Sequence, residues 1–81
     1  MYIEFRLPMG AGGAAAGVAL SHINIDIDRW VKKHNIKYYK TKIHKYTYRL
    51  SLQTDQDYTQ FALTWDPGYS ASRNFEFKNP K

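Results

Sequence analysis

The residues best suited to do chemistry lie between Arg29 and Arg49, where cations are interleaved with tyrosines. This stretch carries eight of the twelve Lys and Arg residues of the chain, two of its three histidines and no acid. Cations hold phosphates and tyrosine rings stack on unpaired bases, so the combination is typical of proteins that bind single-stranded nucleic acid. The candidate binding residues are Arg29, Lys32, Lys33, Lys37, Tyr38, Tyr39, Lys40, Lys42, Lys45, Tyr46 and Arg49.

Two other interpretations fit the same segment. A one-sided basic segment in a chain of net charge +5 also suits an acidic protein surface. Lysines on a strand can instead block edge-to-edge aggregation while the tyrosines form part of the core. We expect a small non-enzymatic module that binds RNA or single-stranded DNA. The alternative is a protein-interaction module that inhibits or redirects an acidic-surfaced partner.

Histidines and paired carboxylates are the remaining candidates for metal binding or acid–base chemistry. No two of His22, His34 and His44 are four residues apart on one helix, and the acid nearest in ligand spacing is Asp26, one turn after His22. Such a pair is common on solvated helices. Asp26 and Asp28 are two residues apart, so a helix places them on different faces. Without a nucleophile–base constellation, the sequence predicts neither catalytic residues nor a metal site.

Four glycines, Gly10, Gly12, Gly13 and Gly17, stand between a predicted strand and a predicted helix, where a phosphate-binding loop would stand. The spacing G-x-G-x-x-G is not met because Ala15 takes the last glycine position, and no Lys-Ser or Lys-Thr pair follows. We therefore predict a hinge into the helix, with bare anion binding as the alternative, and no cofactor.

Composition bounds the other possibilities. The 81 residues contain no cysteine, which excludes disulfides and cysteine-rich zinc sites. A chain this short buries a small core, which a homo-oligomer would enlarge. Glu4 and Arg6 interrupt a signal-peptide pattern, and His22 and Asn24 interrupt an apolar membrane span. We expect a soluble cytoplasmic protein with no membrane partner.

The elements that must position the candidate residues begin with a strand and a long helix. Residues 2–7 are rich in strand formers, although their two sides alternate poorly, and Pro8 ends the strand. From about Ala14, apolar residues recur at helical spacing for about five turns, and Asn35 is the predicted terminator. Alternating isoleucines at residues 23–27 also fit a strand, which is the rival prediction there.

The second half of the chain predicts strands followed by a short helix. Residues 36–53 favour strands, and a phase slip within them predicts either a loose hairpin bend near residues 41–44 or one long bulged strand. Thr54 followed by acids resembles a helix N-cap, so residues 58–65 are predicted as helix, with a strand as the rival.

This order of elements predicts one α+β domain over residues 1–81. Residues 66–81 form a loop-rich tail with one strand candidate, residues 74–78. The expected fold is a small single-layer sheet packed by two helices in ferredoxin-like (split β-α-β) order. The predicted core consists of Ile23, Ile27, Trp30, Leu50, Leu52, Phe61 and Trp65.

The stretch DYTQFALTWD, with Tyr58, Phe61, Leu63 and Trp65, resembles segments of small accessory proteins of tailed bacteriophages. The resemblance covers about ten residues of the chain. It implies a viral accessory protein that works in the host cytoplasm by binding, and it implies no catalytic residue.

Overall fold

The computed structural model describes residues 1–8, 14–44 and 46–79, with the side chains of residues 42 and 44 outside that description. Its elements are β1 (Tyr2–Arg6), α1 (Ala14–His34), β2 (Tyr38–His44), β3 (Thr47–Leu52), α2 (Asp55–Thr64), a short 3-10 turn (Ser70–Arg73) and β4 (Phe75–Lys78). Within the described residues, four strands form an open antiparallel sheet in the order β2-β3-β1-β4. The predicted α+β class, with one sheet and two helices, is confirmed.

Both helices pack on the same face of this sheet. Along β1 and β3 every second side chain is buried, which places Ile3 and Phe5 beside Leu50 in the core. The expectation that β1 alternates poorly is wrong. Tyr2 belongs to the polar side of the strand, because its ring lies under a cation on the sheet surface rather than in the core.

Helix α1 follows the predicted amphipathic pattern and ends where it was predicted to end. Asn35 adopts a left-handed conformation (φ 53°), which asparagine tolerates better than most residues. The Ile36 N–H donates to the Val31 carbonyl at 3.0 Å, and the Asn35 N–H donates to the Lys32 carbonyl at 3.4 Å. These two bonds form a Schellman cap. The strand alternative for residues 23–27 is wrong, because Ile25 lies on the exposed side of the helix.

Helix α2 begins at the predicted cap. The Thr54 side chain accepts a hydrogen bond from the Asp57 N–H at 3.1 Å, and acids occupy the first turn, where the helix dipole favours negative charge. Tyr58 and Phe61 are buried on one side of this helix, so the helical prediction is confirmed and the strand alternative is wrong. Neither of the two helices described is long and apolar enough to cross a membrane.

Residues 38–52 form two paired strands, β2 and β3, so the alternative of one long bulged strand is wrong, although β2 does carry a bulge. The strand register shifts between Lys42 and His44, which is a β-bulge, and β2 continues to His44 before the chain turns back into β3. The bend therefore follows residues 41–44 instead of occupying them. The bulge absorbs the phase slip inside the strand, so no turn is needed at that point.

The predicted core is confirmed except at one position. Ile23, Ile27, Trp30, Leu50, Leu52 and Phe61 are buried. Trp65 is half-buried instead: its ring stacks on Phe61 with centroids 4.6 Å apart, while its indole N–H donates to the Ser72 carbonyl at 3.0 Å. An indole that must satisfy its N–H often sits at the rim of a core.

Candidate binding face

Each strand of the sheet places polar side chains on the side away from the helices. Residues that pair across the strands share this side, because alternate side chains point to opposite faces. We call this surface the open face. It consists of Tyr2, Glu4 and Arg6 of β1, Tyr39 and Thr41 of β2, Thr47, Arg49 and Ser51 of β3, and Glu76 and Lys78 of β4.

Two tyrosines of the open face lie in one row across the sheet. The strand registers place Tyr39 beside Ser51 and Tyr2 beside Lys78, and the pairing of Ile3 with Leu50 places Tyr2 next to Ser51. Tyr39 is 70 % exposed. The row therefore runs from an exposed ring at one edge, over a serine and a second ring, to a cation at the other edge.

Arg49 lies in the neighbouring row of the open face, opposite Glu4, and its side chain reaches Tyr2. Its guanidinium carbon lies 3.8 Å from the centroid of the Tyr2 ring, a cation–π contact worth about 0.5–1 kcal/mol at an exposed site. Among the described residues no carboxylate lies within ion-pair distance of Arg49, and its Nε is buried without a hydrogen-bond partner. Arg49 thus brings to the open face a guanidinium that forms no ion pair with a described carboxylate.

The other charges of the open face are neutralised within it. Arg6 Nη2 lies 2.6 Å from Glu76 Oε1, and Arg6 Nε lies 3.9 Å from Glu4 Oε2. Lys78 Nζ lies 3.7 Å from Glu76 Oε2. Because Arg6 and Glu76 are about half exposed, these pairs contribute little to stability and can exchange partners when an anion arrives.

Tyr38 and Lys40, both predicted binding residues, belong to the opposite face of the sheet. Lys40 Nζ donates to Asn24 Oδ1 at 3.1 Å and lies 3.2 Å from Asp28 Oδ1, and the Tyr38 hydroxyl donates to Asp28 Oδ1 at 3.1 Å. The Tyr48 hydroxyl donates to Asn24 Oδ1 at 2.8 Å. These side chains tie β2 and β3 to α1, and we call them the α1 anchor.

The α1 anchor changes the acidity of its tyrosines. The hydrogen bond to the Asp28 carboxylate raises the pKa of the Tyr38 hydroxyl, with burial and the charge of Asp28 adding to the effect. Burial, with a smaller effect from the Asp28 charge, raises the pKa of Tyr48 to about 12. Both hydroxyls therefore stay protonated at neutral pH and act as hydrogen-bond donors.

The remaining predicted binding residues are spread around the C-terminal end of α1. Lys32, Lys33 and Lys37 are exposed. Arg29, also exposed, has its Nη1 3.8 Å from Asp26 Oδ1 and lines a groove with Lys33, whereas Lys32 lines a separate groove next to Tyr38. The helix end therefore presents its cations on two sides rather than on one face.

The last three predicted binding residues lie in the β2–β3 hairpin. Tyr46 is half-buried and packs against the core. The backbone of Lys42 pairs with Tyr48, while its side chain, and all of Lys45, lie outside the described residues. The structure thus brings Tyr39 and Arg49 together and separates them from Tyr38 and Lys40. Tyr2, Arg6 and Lys78 also lie on the open face but were not among the predicted binding residues. The period of two in residues 2–7 was the signal for Tyr2 and Arg6, and the strand candidate at residues 74–78 was the signal for Lys78.

Asp26 has a different environment from the solvated helix surface that the sequence suggested. It is 3 % exposed and accepts hydrogen bonds from the Gly68 N–H at 3.0 Å, the Tyr69 N–H at 3.1 Å and the Ser72 hydroxyl at 2.6 Å. The carboxylate thus fastens the loop after α2 to α1. His22 stacks on Tyr69 with ring centroids 4.0 Å apart, so its ring packs against that loop.

The other features singled out in the sequence contribute no site within the described residues. No group of three or more histidines and acids that could hold a metal ion occurs in the part of the chain that is described. Gly10, Gly12 and Gly13 lie outside it, so the hinge stays a prediction. Gly17 lies in α1, where an added Cβ would meet nothing within 4 Å.

Comparisons with protein-family models, with curated proteins and with solved structures find no match for this chain. The resemblance to phage accessory proteins stays a prediction. The functional assignment therefore rests on the geometry of the open face.

Proposed function

We propose that this protein is a non-enzymatic module that binds single-stranded RNA or DNA on its open face. The observation that carries the proposal is the row formed by the exposed ring of Tyr39 and the ring of Tyr2, with the Arg49 guanidinium stacked on Tyr2. Exposed aromatic rings beside cations are the elements that hold unpaired bases and their phosphates.

Each part of the row has a distinct task in this proposal. A base stacks on Tyr39, and a second base stacks at Tyr2 when the Arg49 guanidinium turns toward a phosphate. Lys78 and Arg6 bind neighbouring phosphates by exchanging the carboxylates of Glu4 and Glu76 for the closely spaced negative charges of the nucleic-acid backbone. The Ser51 hydroxyl, between the two rings, can donate to or accept from a base edge.

A titration with labelled single-stranded oligonucleotides tests this proposal. Replacing Tyr39 with alanine should cost about 1–3 kcal/mol of binding free energy and leave the salt dependence nearly unchanged, because stacking is not ionic. Tyr38→Ala is the matched control, because it removes the same ring from the adjacent position on the opposite face of the same strand. We expect Tyr38→Ala to bind like the wild type.

Two results would count against nucleic-acid binding on the open face. Equal losses for Tyr38→Ala and Tyr39→Ala would exclude the open face as the site. Failure of the wild type to bind more tightly than about 100 μM at about 50 mM salt, where even non-specific phosphate binding should register, would exclude the ligand class. The exposed lysines at the end of α1 would then favour the acidic protein partner.

We also propose that the fold is of the ferredoxin-like (split β-α-β) type. The support is the path of the chain: α1 connects β1 to β2 and α2 precedes β4 after β3, and each connected pair of strands has one antiparallel strand between its members. This path leaves both central strands, β1 and β3, with one face free of helices, as the proposed binding mode requires.

A further inference from the structure

The two edges of the sheet differ in how well they are protected against pairing with another strand. Strand β2 carries a β-bulge between Lys42 and His44, and a bulge is one of the usual devices that block an edge. Strand β4 pairs with β1 in a continuous register over Phe75–Lys78. The β4 edge is therefore the one that a further strand can join.

The main chain of β4 shows which of its residues face that free edge. The Arg6 N–H donates to the Asn74 carbonyl at 3.0 Å, so the pair of Arg6 and Asn74 lies at a hydrogen-bonded position. Hydrogen-bonded and non-hydrogen-bonded pairs alternate along antiparallel strands. Glu76 and Lys78 therefore direct their N–H and C=O groups toward β1, and Phe75 and Phe77 direct theirs outward.

The side chains of β4 select one register for pairing with a second copy of the same strand. Outward-directed residues must face each other, so registers differ by steps of two residues. Phe75 opposite Phe77 would set Glu76 against its own copy, and Phe77 opposite Asn79 would set Lys78 against its own copy. Phe77 opposite Phe77 sets Glu76 against Lys78 twice, which is the arrangement with complementary charges.

The helix-covered side of the same edge offers an apolar surface. Phe77 is 41 % exposed, although its ring contacts Phe61 at a centroid distance of 6.0 Å. It borders an open groove of about 430 Å³ that is also lined by Met1, Tyr58 and Ala62. A second Phe77 on the same side would cover this exposed ring.

We propose that the protein forms a symmetric dimer through antiparallel pairing of β4 with β4 of a second copy, centred on Phe77. The two-fold axis is perpendicular to the sheet, so both pairs of helices lie on one side and the two open faces become one eight-stranded surface. The contact is isologous and closes after two copies, because each chain uses its β4 edge once. The dimer does not depend on nucleic-acid binding.

Charge reversal tests the register directly. Glu76→Lys and Lys78→Glu each turn two attractive cross-strand pairs into two repulsive ones. The dissociation constant of each variant alone should therefore be about tenfold higher than that of the wild type. An equimolar mixture of the two variants restores both attractive pairs and should recover the association of the wild type. Sedimentation equilibrium measures all three, and Lys37→Glu near the other edge is the control that should dimerise normally.

Cross-linking provides a second measurement that does not rely on charge. The chain has no cysteine, and residues at a hydrogen-bonded antiparallel pair have Cα atoms about 5.5 Å apart, within reach of a disulfide. Under mild oxidation Phe77→Cys should form a covalent dimer, and Leu63→Cys, on the exposed side of α2, should not.

Three outcomes would overturn the proposed dimer. The first is a wild type that stays monomeric at about 1 mM, where a millimolar dissociation constant already gives dimer. The second is a mixture of the two charge variants that associates no more strongly than either variant alone. The third is covalent dimer formation to the same extent in Phe77→Cys and Leu63→Cys. None of these depends on oligonucleotide binding, so the failure of one proposal is distinguishable from the failure of the other.

Discussion

Tyr38 and Tyr39 are consecutive residues of β2, yet the two faces of the sheet give them opposite environments. Tyr38 donates to Asp28 on α1, and Tyr39 is 70 % exposed on the open face. Lys40 and Arg49 differ in the same way: Lys40 is held by Asn24 and Asp28, and Arg49 lies on the Tyr2 ring. A basic, tyrosine-rich segment is therefore not one surface. Its strand period divides it into an anchor and a candidate binding face.

The two faces of the sheet should respond to different experiments. Side chains on the helix-covered face are buried or satisfied by α1, so changes there should appear as changes in stability. Side chains on the open face make half-exposed contacts, so changes there should appear mainly in binding.

Phe61→Ala should have the largest effect. Phe61 is fully buried and contacts the rings of Trp30, Trp65 and Phe75, so truncation should lower the free energy of unfolding by about 3–5 kcal/mol. That is a large share of the total for a small domain, about 5–15 kcal/mol. Urea unfolding measures the loss.

Leu63→Ala is the matched control for Phe61, because Leu63 lies on the same helix and is 79 % exposed. Surface substitutions usually change stability by less than about 0.5 kcal/mol. Similar losses for the two variants would mean that the buried side of α2 is assigned wrongly.

The α1 anchor should make stability depend on alkaline pH. The pKa of Tyr48 is raised from 10.0 to about 12 in the folded protein, so between these values the unfolded chain loses a proton that the folded chain keeps. The contribution is therefore complete below about pH 10 and lost as the pH rises toward 12. The free energy of unfolding should fall across this range, and Tyr48→Phe should make the fall less steep.

The slope, rather than the absolute stability, is the informative quantity for Tyr48. Tyr48→Phe also removes the hydrogen bond to Asn24, which should cost about 1 kcal/mol at every pH. Leu63→Ala should retain the slope of the wild type. An unchanged slope in Tyr48→Phe would show that other groups cause the alkaline loss.

The sequence predicted the elements better than it predicted the faces. Local signals mark the ends of the helices: Thr54 caps α2 and Asn35 ends α1 through contacts within a few residues. The neighbour of a strand residue can lie far away along the sequence, since Tyr2 contacts Arg49 only because β1 pairs with β3. Composition alone therefore placed Lys40 and Tyr39 in the same predicted binding surface and did not include Tyr2.

Asp26 shows the same limit from the other direction. Its three hydrogen-bond donors lie more than 40 residues later in the chain, at Gly68, Tyr69 and Ser72. The local sequence, in which Asp26 follows His22 by one helical turn, does not indicate these donors. Predicting the buried carboxylate would require the path of the loop after α2, which the helical period does not contain.

Arg49 should show a small effect on stability and a clear effect on binding. Replacing it with glutamine removes one cation–π contact at a partly exposed site, so the free energy of unfolding should fall by no more than about 1 kcal/mol. If Arg49 contacts a phosphate, the same variant should flatten the plot of log affinity for single strands against log salt by about 0.7, the contribution of one phosphate contact.

Arg49→Lys separates the charge of this residue from its shape. Lysine keeps the positive charge but not the planar guanidinium that can donate two parallel hydrogen bonds to one phosphate. The salt dependence should therefore match that of the wild type while the affinity falls, whereas Arg49→Gln should change both. If both variants bound like the wild type while Tyr39→Ala bound weakly, the nucleic acid would occupy the β2 edge of the open face and not its centre. A loss of stability above about 2 kcal/mol in either variant would instead place Arg49 with the α1 anchor as a structural residue.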